Sequence, residues 1–288
     1  MTDEHVLQRL ENRFESLSRQ LQNAARFVID NPQAIALQSM RSAAQSARVH
    51  PNAMLRLARE LGFDSYEPFR DQFRQWIVGR GTSNWVERAR TLQDSSDDPS
   101  LTRLLQDYVK QETANIEQTF DSEAQSQLKA GVRLLKEART IYIAASRSLF
   151  SIAFYFHYAC RMFTSNTVLM SGLGGTFPDD LRNVSDADLL LAFSHQPYSR
   201  DVVELVRYAG EAGAKLLVIT DSKVSPLAKM NPTTILVTNS SKSLIPTLLP
   251  AFAVAEVLAT MLVASGGGDA MKEIASSERQ LARFGVYT

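Results

Sequence analysis

Arginine and asparagine recur at helical spacing in the first third of the chain. Asn52, Arg56 and Arg59 stand at positions i, i+4 and i+7, so a helix would present all three on one face. In the DNA major groove, arginine pairs with the edge of guanine and asparagine with the edge of adenine. Residues 41–90 also hold nine arginines against five acidic residues, a density that suits phosphate contacts. These residues indicate DNA binding, and a solvated helical face is the alternative interpretation.

The segment 40–61 predicts the two helices that would position these side chains. Ala43 and Ala44 allow a close helix–helix approach, and a tight turn follows near Arg48. His50 stands at the expected N-cap, and Pro51 suits the first helical position. This order is typical of a helix-turn-helix, whose second helix enters the major groove, and an ordinary helical hairpin is the alternative. Six polar residues are the candidates for DNA contact: Arg41, Arg48, His50, Asn52, Arg56 and Arg59.

Hydroxyl and basic side chains follow two short apolar runs later in the chain. The ends of parallel strands meet at one edge of a sheet, where backbone N–H groups and a helix dipole can hold an anion. We therefore expect a polar or anionic ligand at this edge. The candidate ligand-binding residues are Ser146, Arg147, Ser148, Ser194, Tyr198, Ser199 and Arg200. The alternatives are a simple strand-to-helix turn at the first place and a structured surface turn at the second.

The period of the apolar pattern changes near residue 140. Before it the pattern is helical, and a polar run at 94–100 predicts a linker. After it, short apolar runs alternate with helical stretches, an order that predicts βαβ units. These runs span 140–145, 167–170, 188–194, 215–220 and 234–238. The sequence thus predicts an all-α helix-turn-helix domain over 1–92, a linker and connecting helix over 93–122, and an α/β doubly wound domain over 123–288 with a five-stranded, mostly parallel sheet.

Composition excludes several classes of protein. The 31 basic and 31 acidic residues balance, and 44% of the chain is hydrophobic, which is ordinary for a soluble globular protein. One cysteine, Cys160, excludes a disulfide framework, and four histidines predict neither a metal site nor a cofactor. The start of the chain lacks the pattern of a signal peptide, so a cytoplasmic location is expected. The run 244–265 is long enough to span a membrane, but Pro246, Pro250 and Glu256 favour a buried or interface helix.

The first domain resembles the RpiR (also called MurR/RpiR) bacterial transcriptional regulators. The resemblance is carried by Leu17-Ser18, by Phe-Val-Ile-Asp-Asn-Pro at 27–32, by Val49, by Arg-Leu-Ala-Arg-Glu-Leu-Gly-Phe at 56–63 and by Tyr66. The family usually has Ser where this chain has His50, and Thr-Val where it has Ala53-Met54, differences that bear on helix capping and operator preference. The resemblance implies that double-stranded operator DNA is a partner.

Residues 123–264 resemble a SIS (sugar isomerase) domain, the usual effector module of that family, which commonly binds phosphosugars. SIS domains usually carry Gly-x-Gly-x-Ser after the first strand, where this chain has Ala144-x-Ser146-x-Ser148. They usually carry Ser-x-Ser-Gly-x-Thr after the third strand, where Ser194 is kept and Ser199 falls at the Thr position. Loss of both glycines narrows the room for a phosphate.

Together the two resemblances imply a ligand-responsive transcriptional regulator of a sugar or other carbon catabolic operon, and not an enzyme. Its effector is expected to be a small metabolite, phosphorylated or not. A homodimer or homotetramer is expected because helix-turn-helix proteins usually bind two half-sites. The alternative is a phosphosugar isomerase with an accessory helical domain, for which Glu256 is the candidate general base.

Overall fold

The first of two compact units is helical. A computed structural model describes residues 6–81, 85–93, 98–230, 232–241 and 243–287, and the units divide between Asn84 and Trp85. The helices of the first unit are α1 (Val6–Arg13), α2 (Arg19–Asp30), α3 (Pro32–Leu37), α4 (Met40–Ser46), α5 (Pro51–Glu60) and α6 (Tyr66–Gly81). Residues 1–5, on which the expectation about a signal peptide rests, lie outside the described ranges.

Apolar side chains at helical spacing hold the first unit together. Leu21 and Val28 of α2 are buried, as are Met54 and Leu57 of α5. Ser39 caps α4, because its Oγ accepts a hydrogen bond of 3.2 Å from the Ser42 amide. The predicted all-helical first domain is therefore confirmed, and α4 and α5 are the two helices of the predicted helix-turn-helix, which stays a prediction.

The second unit alternates helices and strands. It contains α7 (Trp85–Gln93), α8 (Asp98–Thr119), α9 (Ser122–Glu137), β1 (Ile141–Ala144), α10 (Phe150–Arg161), β2 (Thr167–Met170), α11 (Phe177–Asp180), β3 (Leu189–Phe193), α12 (Arg200–Glu211), β4 (Lys215–Thr220), β5 (Thr233–Leu236), α13 (Leu249–Ser265) and α14 (Gly267–Arg283). β1 and β3 are buried along their whole length, because helices cover both faces of the sheet.

The five strands form one sheet in the order β2-β1-β3-β4-β5, and every pairing is parallel. Ala144 at the end of β1 pairs with Met170 on one side and with Ala192 on the other. The order of the strands reverses between β1 and β3, which is where open α/β sheets bind ligands. The predicted doubly wound, five-stranded parallel sheet is confirmed.

Two helix boundaries differ from the sequence interpretation. α7 was assigned to the first domain but belongs to the second unit, where the Arg88 guanidinium donates a hydrogen bond of 3.3 Å to the Ser243 carbonyl. α8 begins at Asp98, inside the predicted linker, whose residues 94–97 lie outside the described ranges. α9 is capped by Asp121, whose carboxylate accepts a hydrogen bond of 2.8 Å from the Ala124 amide.

The apolar run 244–265 forms the helix α13, which is buried along one face, and a short segment before it that begins at the exposed Leu244. Leu258, Leu262 and Val254 lie in the core beneath the sheet, whereas Leu244 and Leu249 are exposed. α13 thus packs within its own unit, in agreement with the buried helix that the sequence favours. Within the described ranges no single helix is long and apolar enough to cross a membrane; α13 and α14 meet that test only as a pair bent by 113°.

Candidate functional site

The exposed face of α5 carries three of the candidate DNA-contacting residues. Asn52, Arg56 and Arg59 are all exposed, whereas Met54 and Leu57 on the opposite face are fully buried. The other three candidates, Arg41, Arg48 and His50, are exposed on α4 and in the turn that follows it. The structure thus places all six predicted residues on the surface of one helix pair.

Both ends of α5 are fixed by side chains. His50 is the N-cap, and its Nδ1 accepts a hydrogen bond of 3.3 Å from the Asn52 amide. At the other end the guanidinium groups of Arg9 and Arg13 in α1 donate to the carbonyls of Leu61 and Glu60. Cations near the C-terminal carbonyls of a helix also stabilise its dipole. The roles of these two arginines could not be predicted from the sequence, because the contacts join residues about fifty positions apart.

The turn between α4 and α5 passes through Arg48 in a left-handed conformation. The φ of Arg48 is 54°, a value that few residues other than glycine adopt. The Val49 amide donates a hydrogen bond of 3.0 Å to the Ala44 carbonyl, which closes the turn. The predicted tight turn near Arg48 is confirmed, and it presents the Arg48 side chain to solvent.

The candidate effector residues lie at the carboxyl ends of β1 and β3, the two strands that flank the point of reversal. Ser146 and Ser194 each stand two residues beyond the paired residues Ala144 and Ala192, so the two serines follow adjacent strands at the same level. Ser194 is 2% exposed and forms the floor of this edge, whereas Ser148 is exposed. We call the edge between these two strand ends the crevice.

The turn after β1 is built around a second left-handed arginine. Arg147 has a φ of 55° and begins a short 3-10 turn that leads into α10. The Ser151 hydroxyl donates a hydrogen bond of 2.8 Å to the Ser148 carbonyl and so stabilises the start of that helix. The side chain of Arg147 is exposed, which keeps its charge available at the crevice.

The turn after β3 is tied to the end of β4 by Asp221. The Tyr198 hydroxyl donates a hydrogen bond of 2.7 Å to one oxygen of Asp221, and the Gln196 amide donates one of 3.1 Å to the other. The Gln196–Pro197 peptide bond is cis. Tyr198, one of the candidate ligand-binding residues, is therefore half-buried and held by a neighbouring strand end. Asp221 was missed, because only the strand order shows that it follows a neighbour of β3.

The remaining candidates of this turn begin α12. Ser199 occupies the N-cap position of that helix without a capping hydrogen bond from its side chain, and Arg200 is its first, exposed residue. His195, by contrast, is 6% exposed; its Nδ1 lies 3.1 Å from the Gln196 carbonyl, and its Nε2 has no partner among the described residues. The turn thus offers one hydroxyl and one guanidinium to the solvent side.

A separate cavity lies at the opposite edge of the sheet. It has a volume of about 540 Å³ and is lined by Leu134, Arg207, Glu211, Lys215 and other residues around the starts of β4 and β5. Arg207 is paired there with Glu211 at 3.1 Å. This cavity contains none of the seven candidate effector residues.

The titratable side chains that the sequence singled out for metal or base chemistry lie apart in the part of the chain that the structure describes. Groups of three or more His, Cys, Asp or Glu side chains that could hold a metal are absent there. Burial raises the pKa of the Cys160 thiol to about 12, and burial followed by the charge of Arg161 lowers the pKa of His157. Glu256, the candidate isomerase base, is exposed on α13.

Comparison with known proteins identifies the second unit. Residues 134–261 match the SIS domain family model. The chain is 21% identical over 237 residues to an uncharacterized HTH-type transcriptional regulator of Haemophilus influenzae, an alignment that covers 78% of this chain and 77% of the relative. It is 23% identical over 230 residues to the HTH-type transcriptional regulator HexR of Pseudomonas aeruginosa, covering 78% and 76%.

Two solved structures share the fold. The sugar isomerase domain of an RpiR transcription factor from Sphaerobacter thermophilus has a TM-score of 0.57 and 20% identity, covering 62% of this chain and 99% of that one. The Vibrio vulnificus NanR protein, solved in complex with ManNAc-6P, has a TM-score of 0.55 and 15% identity, covering 97% and 98%. Residues 134–261 therefore match the SIS domain family, and over about three quarters of its length the chain is similar to proteins named HTH-type transcriptional regulators.

Proposed function

We propose that the chain is a ligand-responsive, DNA-binding transcriptional regulator of a sugar or other carbon catabolic operon that acts in the cytoplasm as a homodimer or homotetramer. The observation that carries the proposal is the exposed polar face of α5, fixed at both ends, in a chain whose second unit is a SIS domain. Recognition helices of this kind bind base edges through residues near their N-terminus.

The geometry of α5 supports DNA contact by a stated set of residues. Asn52, Arg56 and Arg59 supply the base-edge donors, and Arg41 and Arg48 supply positive charge for phosphates. His50 is committed to the helix cap through Nδ1, so only the rest of its ring is available to DNA. An operator with two half-sites needs two such helices, and each chain has one, so we propose a dimer.

The crevice supports a small anionic effector. Arg147 and Arg200 bring two exposed guanidinium groups to its rim, and Ser146, Ser148 and Ser194 bring hydroxyls. Asp221 adds one carboxylate, which suits a sugar hydroxyl better than a phosphate. A sugar phosphate meets both demands, and NanR, which shares the fold, was solved with ManNAc-6P.

The isomerase alternative has less support. Aldose–ketose isomerisation requires a general base within hydrogen-bonding reach of the substrate carbon. Glu256 lies on the solvent side of α13 and has no contact with the serines of the crevice in the described structure. The curated relatives that span most of the chain are also named as transcriptional regulators.

Selection of bound fragments from genomic DNA, followed by titration of the winning fragment, tests the proposal. Arg56→Ala should weaken specific binding by about 1–3 kcal/mol and relax the preference at one operator position. The melting temperature should stay unchanged, because the Arg56 side chain is exposed. Arg279→Ala, which removes an exposed arginine of α14, is the matched control and should leave the affinity intact. Failure of the wild type to enrich any fragment would contradict the proposal.

A further inference from the structure

A row of buried polar side chains joins α8 to the segment between β5 and α13. Glu112, Asn115 and Thr119 lie on one face of α8 and are at most 5% exposed. Thr247, two residues before α13, is 6% exposed. Buried polar groups are costly unless they are hydrogen-bonded, so such a row fixes the relative position of the two elements. We call these residues and their partners the α8 seam.

Three hydrogen bonds span the seam. The Thr247 hydroxyl donates to Glu112 Oε2 at 2.9 Å. Asn115 Nδ2 donates to the Ser240 carbonyl at 2.7 Å, and Thr119 Oγ1 accepts from the Thr238 amide at 2.9 Å. Each bond joins residues more than a hundred positions apart in the chain, so the seam depends on tertiary structure alone.

One atom of the seam has no partner. Glu112 Oε1 is buried and accepts no hydrogen bond in the described structure, although Glu112 Oε2 is bonded. A half-satisfied buried carboxylate is sensitive to small shifts of its surroundings, because any movement that brings a donor to Oε1 is favoured. An arrangement of the segment before α13 that brought a donor to Oε1 would therefore be stabilised by that hydrogen bond.

The seam is connected to the crevice through packed side chains. The turn that holds Arg147 leads directly into α10, whose Tyr155 ring lies 4.8 Å from the Phe252 ring in the first turn of α13. Thr247 immediately precedes that turn. A displacement of the start of α10 by a ligand therefore reaches Thr247 through two contacting rings and a few residues of backbone.

The seam is also connected to the helix by which the chain enters the second unit. Arg88 of α7 donates a hydrogen bond of 3.3 Å to the carbonyl of Ser243, which lies in the same segment as Ser240 and Thr247. α7 and α8 are the helices that the chain forms between its DNA-binding unit and α9. The segment 238–248 thus contacts both connecting helices.

We propose that the α8 seam is the output contact of the SIS domain, through which a change at the crevice alters α7 and α8 and hence the DNA-binding unit. The proposal rests on the proposed function for its biological meaning, but its physical content is separate. Glu112 and Thr247 are positioning residues: they touch neither DNA nor effector, and they set the arrangement of the connecting helices.

Hydrogen–deuterium exchange on the full chain tests the physical content without a ligand. Thr247→Val removes the donor to Glu112, so amides of α7 and of the first turn of α10 should exchange about tenfold faster than in the wild type. Rates are normalised to the amides of β3, so that a global loss of stability does not produce the same pattern. Thr247→Ser, which keeps the hydroxyl, should restore the wild-type rates.

Thr260→Val is the matched control, because the Thr260 hydroxyl donates only to the Glu256 carbonyl within α13. It should leave α7 and α10 unchanged. Glu112→Gln, which keeps the size of the side chain, should reproduce part of the Thr247→Val effect. Faster exchange confined to α8 and the segment 238–248, with α7 and the start of α10 unaffected, would overturn the proposal.

A second arm uses ManNAc-6P and inorganic phosphate as probes. In the wild type, a probe that binds should slow amide exchange at residues 146–149 and change the exchange of α7. In Thr247→Val the probe should still protect residues 146–149 but should no longer change the exchange of α7. If neither probe protects 146–149, the proposed ligand class fails, and the ligand-free comparison still decides the role of the seam.

Discussion

Arg48 and Arg147 adopt the same backbone conformation in two unrelated turns. Their φ angles are 54° and 55°, and they are the only residues other than glycine with a positive φ in the part of the chain that the structure describes. Both side chains are exposed. A left-handed conformation costs an L-residue about 1–2 kcal/mol, a strain that tends to occur at functional sites.

The two turns differ in what imposes the strain. At Arg48 the amides of Arg48 and Val49 donate to carbonyls of α4 at 3.1 and 3.0 Å, so packing between α4 and α5 dictates the conformation. Arg147 instead follows an extended residue, Ser146, at the open edge of a sheet. The first turn is thus a requirement of the fold, whereas the second shapes the surface of a crevice. Under the proposed function, the same backbone strain serves architecture in one unit and ligand binding in the other.

Removal of two crevice hydroxyls should give the largest loss of the ligand response. If the same change also weakened DNA binding, the distinction between the two turns would be wrong. The test uses a sugar phosphate, such as ManNAc-6P, that shifts the operator affinity of the wild type. The double variant Ser148→Ala, Ser194→Ala should no longer show this shift. Each lost contact to a charged ligand is worth about 1–3 kcal/mol. Operator affinity without ligand should stay at the wild-type value in a fluorescence-anisotropy titration.

The exposed Ser276 of α14 provides the matched control, and Ser276→Ala should respond normally. A double variant that responds at the wild-type concentration would place the pocket elsewhere. A double variant that no longer binds DNA would show that the second turn, like the first, is architectural.

An ion pair at the amino-terminal ends of β1 and β3 anchors the strands that carry the Arg147 turn. Arg139 donates two hydrogen bonds to Asp188, at 3.0 and 2.7 Å. Burial raises the pKa of Asp188, but the bonds from Arg139 and Ser185 outweigh it and hold that pKa below its usual value. Asp188→Asn should lower the free energy of unfolding of the second unit by about 2–4 kcal/mol, as urea denaturation would show.

The same pair should make the second unit sensitive to acid. Because the pKa of Asp188 is lowered in the folded state, its contribution is complete above the unfolded pKa and is lost as the pH falls through the folded value. The slope of stability against pH in the acid range should therefore become shallower in Asp188→Asn. Arg207→Ala, which breaks only exposed pairs, should leave the free energy of unfolding close to the wild-type value.

Glycine substitution at the two arginines should give the smallest effect and the most direct test of the comparison. Arg48→Gly and Arg147→Gly relieve left-handed strain but increase the entropy of the unfolded chain, so each should change stability by only about 1 kcal/mol or less. Arg48→Gly should weaken operator binding and leave ligand binding at the crevice unchanged. Arg147→Gly should weaken the ligand response and leave operator binding intact. If instead Arg48→Gly weakened the ligand response and Arg147→Gly weakened operator binding, the roles proposed for the two turns would be wrong.

The sequence predicted the strands closely, because each is a short run rich in apolar residues, and β1 and β3 are buried along their whole length. The runs 167–170 and 215–220 coincide with β2 and β4. The N-cap His50 was also predictable, since capping is local. Three features were not: the Arg9 contact with Leu61, the Tyr198 bond to Asp221, and the Glu112 bond to Thr247. Each joins distant segments through polar groups, which leave no periodic signal in a sequence.

The single cysteine of the chain has a practical consequence. Cys160 is fully buried, and burial raises its pKa to about 12, so little of the thiolate that alkylating reagents require is present at neutral pH. A cysteine introduced at an exposed position such as Gln45 or Ser276 would then be the dominant reactive thiol. One surface residue can thus be replaced by cysteine and labelled with a fluorophore while Cys160 is kept.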